Sequence, residues 1–126
     1  MIGILVVTHG EIGKSLIDCA IQILDDQPSS LEFLSVNSNN DLNQYTKIIS
    51  QKINMLEKGN GVLILTDIYG ATPCNLLKKF IIKNKVEVIA GINLPMLIKA
   101  ISDRKDNLNV LVNDSLDCAK KNIKII

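Results

Sequence analysis

The sequence predicts a three-layer α/β domain: a mostly parallel, doubly wound sheet of strand order 2-1-3-4 with helices on both faces. Three observations carry this. Runs that are apolar on both faces, the mark of buried parallel strands, alternate with stretches of helical period. Four such strands separated by helices require right-handed crossovers, which lay helices on both sides of the sheet. The two most uniformly apolar runs, residues 2–8 and 62–66, belong side by side at its centre.

The first strand, residues 2–8, leads through Thr8 to His9, the only histidine of the chain. From Ile12 the apolar positions Ile12, Leu16, Cys19/Ala20 and Ile23/Leu24 are spaced as a helix face. Pro28 and two serines end it. Residues 31–36 form a less uniformly apolar strand, suited to an edge. Asp41 caps the next helix, with Gln44 three residues on and a face of Leu42, Tyr45, Ile49, Ile53 and Leu56. Gly59 and Gly61 close it before the third strand, 62–66. Thr72 then reads as an N-cap with Pro73 at the first helical position, where a missing N–H costs nothing. Leu76, Leu77, Phe80 and Ile81 give that helix its inner face. A fourth strand covers 86–91, Asn93 with Pro95 opens a helix to about Ile101, and a last helix buries Leu108, Leu111, Val112, Leu116 and Ala119. The apolar segment 123–126 closes the chain.

At 126 residues the chain is one domain, 1–126, able to bury a sizeable core. Tryptophan is absent and only two tyrosines and two phenylalanines occur, so the core is aliphatic. A net charge of +1 with interspersed signs, and so few aromatic platforms, argue against nucleic acid as a partner. No apolar stretch approaches the ~20 residues that span a bilayer, and no secretory leader is recognisable. Cys19, Cys74 and Cys118 lack CxxC spacing and read as reduced thiols of a cytoplasmic protein. Cys74, near a helix start, is a candidate reactive thiol. Met96 reads as core or interface packing, and Lys78-Lys79 as a solvated helix face.

With strand order 2-1-3-4, the connections leaving strands 1 and 3 diverge to opposite faces and open a crevice at their carboxyl ends, where ligands collect in such sheets. His9 lies at one side of it and residues 67–73 (DIYGATP) at the other. The helix beginning at Pro73 offers unpaired N–H groups and a positive dipole end, an anion site. Gly70 lets backbone approach a bound group closely, and the Thr72 hydroxyl caps the helix or donates to an oxyanion. Asp67 is placed to accept one ring N–H of His9, fixing the tautomer and stabilising positive charge on the ring. Nucleophile, orienting carboxylate and anion cradle are what phosphoryl transfer to histidine requires. No lysine-bearing P-loop occurs to support a nucleotide, and neither metal nor cofactor is expected. Each residue also has a purely structural reading: His9 as a turn residue or packed ring, Asp67 as an acceptor for loop amides, Thr72-Pro73 as a helix start alone.

Residues 2–10 (IGILVVTHG), 61–75 (GVLILTDIYGATPCN) and 86–97 (VEVIAGINLPML) together resemble the enzyme IIA domain of the mannose family of the bacterial phosphoenolpyruvate-dependent phosphotransferase system. The likeness runs over essentially the whole chain. It implies that His9 accepts a phosphoryl group from phosphohistidine on HPr and passes it to a histidine of an enzyme IIB in sugar uptake. It also implies that Asp67 hydrogen-bonds the active imidazole, and that the loop of Gly70, Ala71 and Thr72 helps hold the phosphoryl group. Similar domains are homodimers whose C-terminal strand crosses to the partner's sheet, and 123–126 matches that short antiparallel strand, which would cover an exposed sheet edge. The membrane is then reached only indirectly, through a permease complex.

Two departures stand out. Transporter members carry tryptophan and a second glycine where this chain has Tyr69 and Ala71, which bears on partner choice. No linker or IIB domain follows the last strand, so the acceptor is expected to be a separate protein. A regulatory phosphoacceptor in a system without a permease, and a phosphoryl donor to a dihydroxyacetone kinase, use the same chemistry. A flavodoxin-like module that binds a small anion without covalent change is the reading from a different class.

Overall fold

The computed structural model describes residues 1–37, 41–104 and 107–126. The chain alternates strictly at first: β1 (Gly3–His9), α1 (Ile12–Leu24), β2 (Leu31–Val36), α2 (Leu42–Leu56), β3 (Val62–Thr66) and α3 (Thr72–Leu77). A 3-10 turn (Lys78–Phe80) extends α3, and β4 (Val86–Ala90), α4 (Leu94–Ser102) and α5 (Leu108–Lys121) complete it. The four strands are parallel in the order β2-β1-β3-β4.

Why these strands sit where they do follows from their side chains. Ile4, Leu5, Val6, Val7 and Leu63, Ile64, Leu65 are all wholly buried, so β1 and β3 are apolar on both faces and pair centrally. One face of the sheet, carrying Ile4, Val6, Leu63 and Leu65, packs against α1, α4 and α5 through Ile17, Ala20, Leu97, Ala100 and Leu111. The other face, carrying Leu5, Val7, Val62 and Ile64, packs against α2 and α3 through Tyr45, Ile49 and Leu77. Met96 lies in the first of these cores, and Lys78 and Lys79 stand in solvent.

The structure shifts several boundaries. His9 is the last residue of β1, opposite Val36, rather than the residue after it, and β4 ends at Ala90 rather than Gly91. Leu42, expected on the buried face of α2, is half exposed, because it belongs to the first turn and overhangs the sheet end. Asp41 does cap α2, accepting from the Asn43 amide. Thr72 is not the cap of α3. Ala71 takes that position in extended backbone, Thr72 is the first helical residue and Pro73 the second. The helix is then only six residues long, too short for a 3.6-residue stripe to develop, and of its expected inner face Leu77 is fully buried while Ile81 is exposed. In α5 the buried positions include Ser115, with Val112 and Leu116 only partly covered. Residues 123–126 form no strand within the single chain, and Ile123, Ile125 and Ile126 are exposed.

Candidate functional site

β1 and β3 are neighbours in register, with Val7 opposite Thr66, so the residues that follow each strand emerge together at the carboxyl end of the sheet. There the Asp67 carboxylate reaches back to His9. Its Oδ2 accepts the His9 backbone N–H at 2.9 Å and lies 2.8 Å from the ring Nδ1, while Oδ1 accepts the Ile68 amide at 2.8 Å. Burial pushes the Asp67 carboxyl up, but the hydrogen bonds from the His9 amide, its ring and the Ile68 amide outweigh this. The adjacent imidazole adds to them, and the group lies below its ordinary value.

Because an ionised carboxylate only accepts hydrogen bonds, Nδ1 carries the proton in this pair, which in the neutral ring leaves the lone pair on Nε2. The carboxylate is largely covered, at 11% exposure, whereas the His9 side chain is 45% exposed. The ring is therefore held from the inside and offered to the outside.

A second support was not anticipated from the sequence. The Thr8 hydroxyl, fully buried on the opposite face of β1, accepts the Gly13 amide at 2.8 Å and donates to the His9 carbonyl at 3.2 Å. It ties the start of α1 to the strand end that bears the histidine. The signal available was the threonine itself, a polar residue inside an otherwise apolar run. Gly10, at φ +47°, then turns the chain away, its amide bonded to the Val36 carbonyl at 3.2 Å.

The loop after Asp67 is exposed. Gly70 sits at φ +82°, in the left-handed region that favours glycine, with open space around it. The Asn75 side chain holds its carbonyl at 2.9 Å. Ala71 is half-buried, and its amide already donates to the Ile68 carbonyl at 3.2 Å. Thr72 is exposed and lines a groove of about 300 Å³ with Leu42, Asn75, Leu76 and Lys79. Cys74, considered above as a reactive thiol, is buried. A thiol covered in this way is closed to the solvent-borne reagents that a reactive cysteine meets.

A hollow of about 710 Å³ lies elsewhere, lined by Glu57, Gly61, Lys85 and Asn107 at the amino ends of β3 and β4. Among the described residues no cluster of three or more histidine, cysteine or carboxylate side chains is arranged to hold a metal. No described helix is long and apolar enough to cross a membrane.

The chain is thus a doubly wound α/β domain that presents one oriented, half-exposed imidazole at its switch point. The family described as PTS system fructose IIA component, EIIA-man, matches residues 3–115, and the chain belongs to it. Among relatives, the PTS system mannose-specific EIIAB component of Escherichia coli (strain K12) is 28% identical over 131 residues. That alignment covers 99% of this chain and 39% of the relative, so the chain spans about two fifths of that protein's length. The PTS system fructose-specific EIIA component of Bacillus subtilis (strain 168) is 27% identical over 117 residues, 88% of this chain and 80% of the relative. A solved structure of phosphotransferase system component EIIA from Streptococcus agalactiae superposes with a TM-score of 0.86 at 23% identity. It covers 99% of this chain and 97% of that one, a likeness of fold.

Proposed function

We propose that this chain is a phosphoryl carrier of the phosphotransferase system. Phosphohistidine on HPr donates to Nε2 of His9, and an enzyme IIB-type protein accepts from it. The observation that carries this is the Asp67 Oδ2–His9 Nδ1 contact of 2.8 Å beside a half-exposed ring. In the forward step the Nε2 lone pair forms the new P–N bond as the donor's P–N bond breaks. Positive charge grows on the ring and is stabilised by the carboxylate behind it. Gly70, Ala71 and Thr72 flank the incoming group and are the proposed phosphoryl-binding segment. The Thr72 hydroxyl, being exposed, is the side chain free to donate.

The half-exposed ring of His9 suits a partner that is itself a protein, since small substrates are taken into concave sites. We further propose a homodimer in a cytoplasmic setting, with 123–126 added to the partner's sheet edge. Three exposed isoleucines in the last four residues, and the place of β4 at an outer edge of the sheet, favour it.

Incubation with phosphoenolpyruvate, enzyme I and HPr tests the relay. One acid-labile phosphoryl adduct is expected by intact mass, absent in His9→Ala. A wild-type protein that takes up no adduct removes the proposal.

A further inference from the structure

Arg104 is the only arginine of the chain, which otherwise draws its strong bases from lysine. It follows α4 at the amino end of the sheet and is 4% exposed, the one charged side chain among the described residues so deeply covered. Its carbonyl accepts the Ile2 amide at 3.0 Å, and its Nη1 donates at 3.0 Å to the Ser30 carbonyl, which also accepts the Ile4 amide. The tie to Ser30 uses one of five guanidinium N–H groups. Among the described residues no carboxylate forms an ion pair with it; Asp26 acts on it from beyond ion-pair distance. Burial lowers the guanidinium below its ordinary value and Asp26 opposes this, and arginine keeps its charge at neutral pH. A buried cation without a counter-charge is costly. A lone carbonyl can be held by an ammonium, so what arginine adds here is its planar fork of donors.

The unpaired nitrogens of that fork are not sealed in protein: the fully covered side-chain atoms without a partner, among the described residues, are the hydroxyls of Thr66 and Ser115. Arg104 lines a hollow of about 280 Å³, and there its remaining donors meet solvent. Buried Ile101 lines it too, and its exposed rim carries the Ser29 and Ser102 hydroxyls, the Gln27 carboxamide and the Asp26 carboxylate. We infer that this hollow is a binding site for a small monocarboxylate, gripped through both oxygens by the Arg104 fork. Paired guanidinium N–H groups match two coplanar oxygens. Asp26, whose Oδ1 accepts the Gln27 amide at 2.8 Å, sets a negative charge at the rim, which disfavours a dianion such as phosphate. The volume lies at the low end for small-molecule sites, so the ligand is small. The site sits at the amino ends of β1 and β2, the opposite end of the strands from His9, and does not depend on the carrier reading.

Because the chain has one arginine, labelling with ¹⁵N-arginine gives a single side-chain Nε–H signal that reports on this hollow alone. On titration with sodium acetate that signal is expected to shift and saturate, while sodium chloride at matched ionic strength leaves it in place. Ser102→Phe, which fills the hollow from the exposed end of α4, is expected to weaken acetate binding about tenfold with the far-UV circular dichroism unchanged. Arg104→Lys keeps the charge and loses the fork; followed through the Ser102 backbone amide, it is expected to lose saturable binding. His9→Ala is expected to bind acetate as wild type does. The inference is overturned by a shift that chloride reproduces, by phosphate binding more tightly than acetate, or by undiminished binding in Ser102→Phe. Loss of acetate binding in His9→Ala overturns it as well, since the anion would then sit at the other end of the strands.

Discussion

Replacing Asp67 by asparagine is the sharpest probe of the site, because it removes charge while leaving shape. Both carboxylate oxygens accept from N–H groups: Oδ2 from the His9 amide and ring, Oδ1 from the Ile68 amide. A carboxamide has one accepting oxygen, so one of these positions must receive an NH₂ group. If the oxygen stays toward His9, the Ile68 amide loses its acceptor, but that residue is exposed and water replaces it. The fold is then kept, and what disappears is the negative charge 2.8 Å behind a ring that becomes positive during transfer. One charge-assisted hydrogen bond is worth about 1.5–3 kcal/mol, and each 1.4 kcal/mol is tenfold, so transfer should slow by roughly 10- to 100-fold. If the amide turns its NH₂ toward Nδ1 instead, the ring is driven into the other tautomer, Nε2 loses its lone pair, and the loss is larger still.

Rapid-quench measurement of phosphoryl transfer from phospho-HPr reads the rate, and ring ¹⁵N shifts read which tautomer the variant holds. A transfer rate within about threefold of wild type, with the ring still protonated on Nδ1, would refute the reasoning. The carboxylate would then be a strand-end tie and nothing more.

Acidification tests the same group through stability. Its folded value lies below the ordinary one, so its contribution is complete above the usual carboxylate range near ~3.9 and disappears as pH falls through the folded value. Thermal melts of wild type should therefore decline more steeply below about pH 4 than those of Asp67→Asn; parallel acid limbs count against it. Gly3→Ala should lower Tm on the order of 3–12 °C, since its Cβ would lie 2.7 Å from the Leu56 carbonyl oxygen, backbone that cannot step aside. An unchanged Tm would show that β1 and the end of α2 are not packed as described. Deleting residues 123–126 should convert a dimer to a folded monomer by light scattering, with far-UV circular dichroism preserved; a persistent dimer rejects strand exchange.

How much of this was legible in the sequence divides along physical lines. Strand positions and order were legible because burial on both faces leaves an unbroken apolar run, and β1 and β3 carry the two longest. The meeting of His9 with Asp67 followed from that order. The capping role assigned to Thr72 did not survive, because the cap depends on the backbone of Ala71, which is extended at ψ 173°, and a Thr-Pro pair suits the first helical positions as well as the cap. The inner face of α3 was misjudged at Ile81 for want of enough turns to define a stripe. Thr8 stood out only as a polar residue in an apolar run, and its partner escaped notice since the hydroxyl serves another element, five residues on at Gly13.

A single oxygen, Oδ2 of Asp67, holds both the main chain and the ring of His9. Any displacement of the strand end therefore moves the ring with its partner, and the pair keeps its geometry as a unit. Thr8 does the same from the opposite face by tying the His9 carbonyl to the start of α1. The imidazole is thus fixed by the sheet, while the segment proposed to hold the phosphoryl group hangs from the sheet by a few loop bonds. Such a division suits the proposed carrier, which would meet two different proteins at one nitrogen: the reacting atom needs one position, and the surface beside it, with Ile68 and Tyr69 exposed at 58% and 82%, would accommodate both. Under the proposed relay, selection between partners would fall to the loop that carries Tyr69 and Ala71, and not to the histidine or its carboxylate.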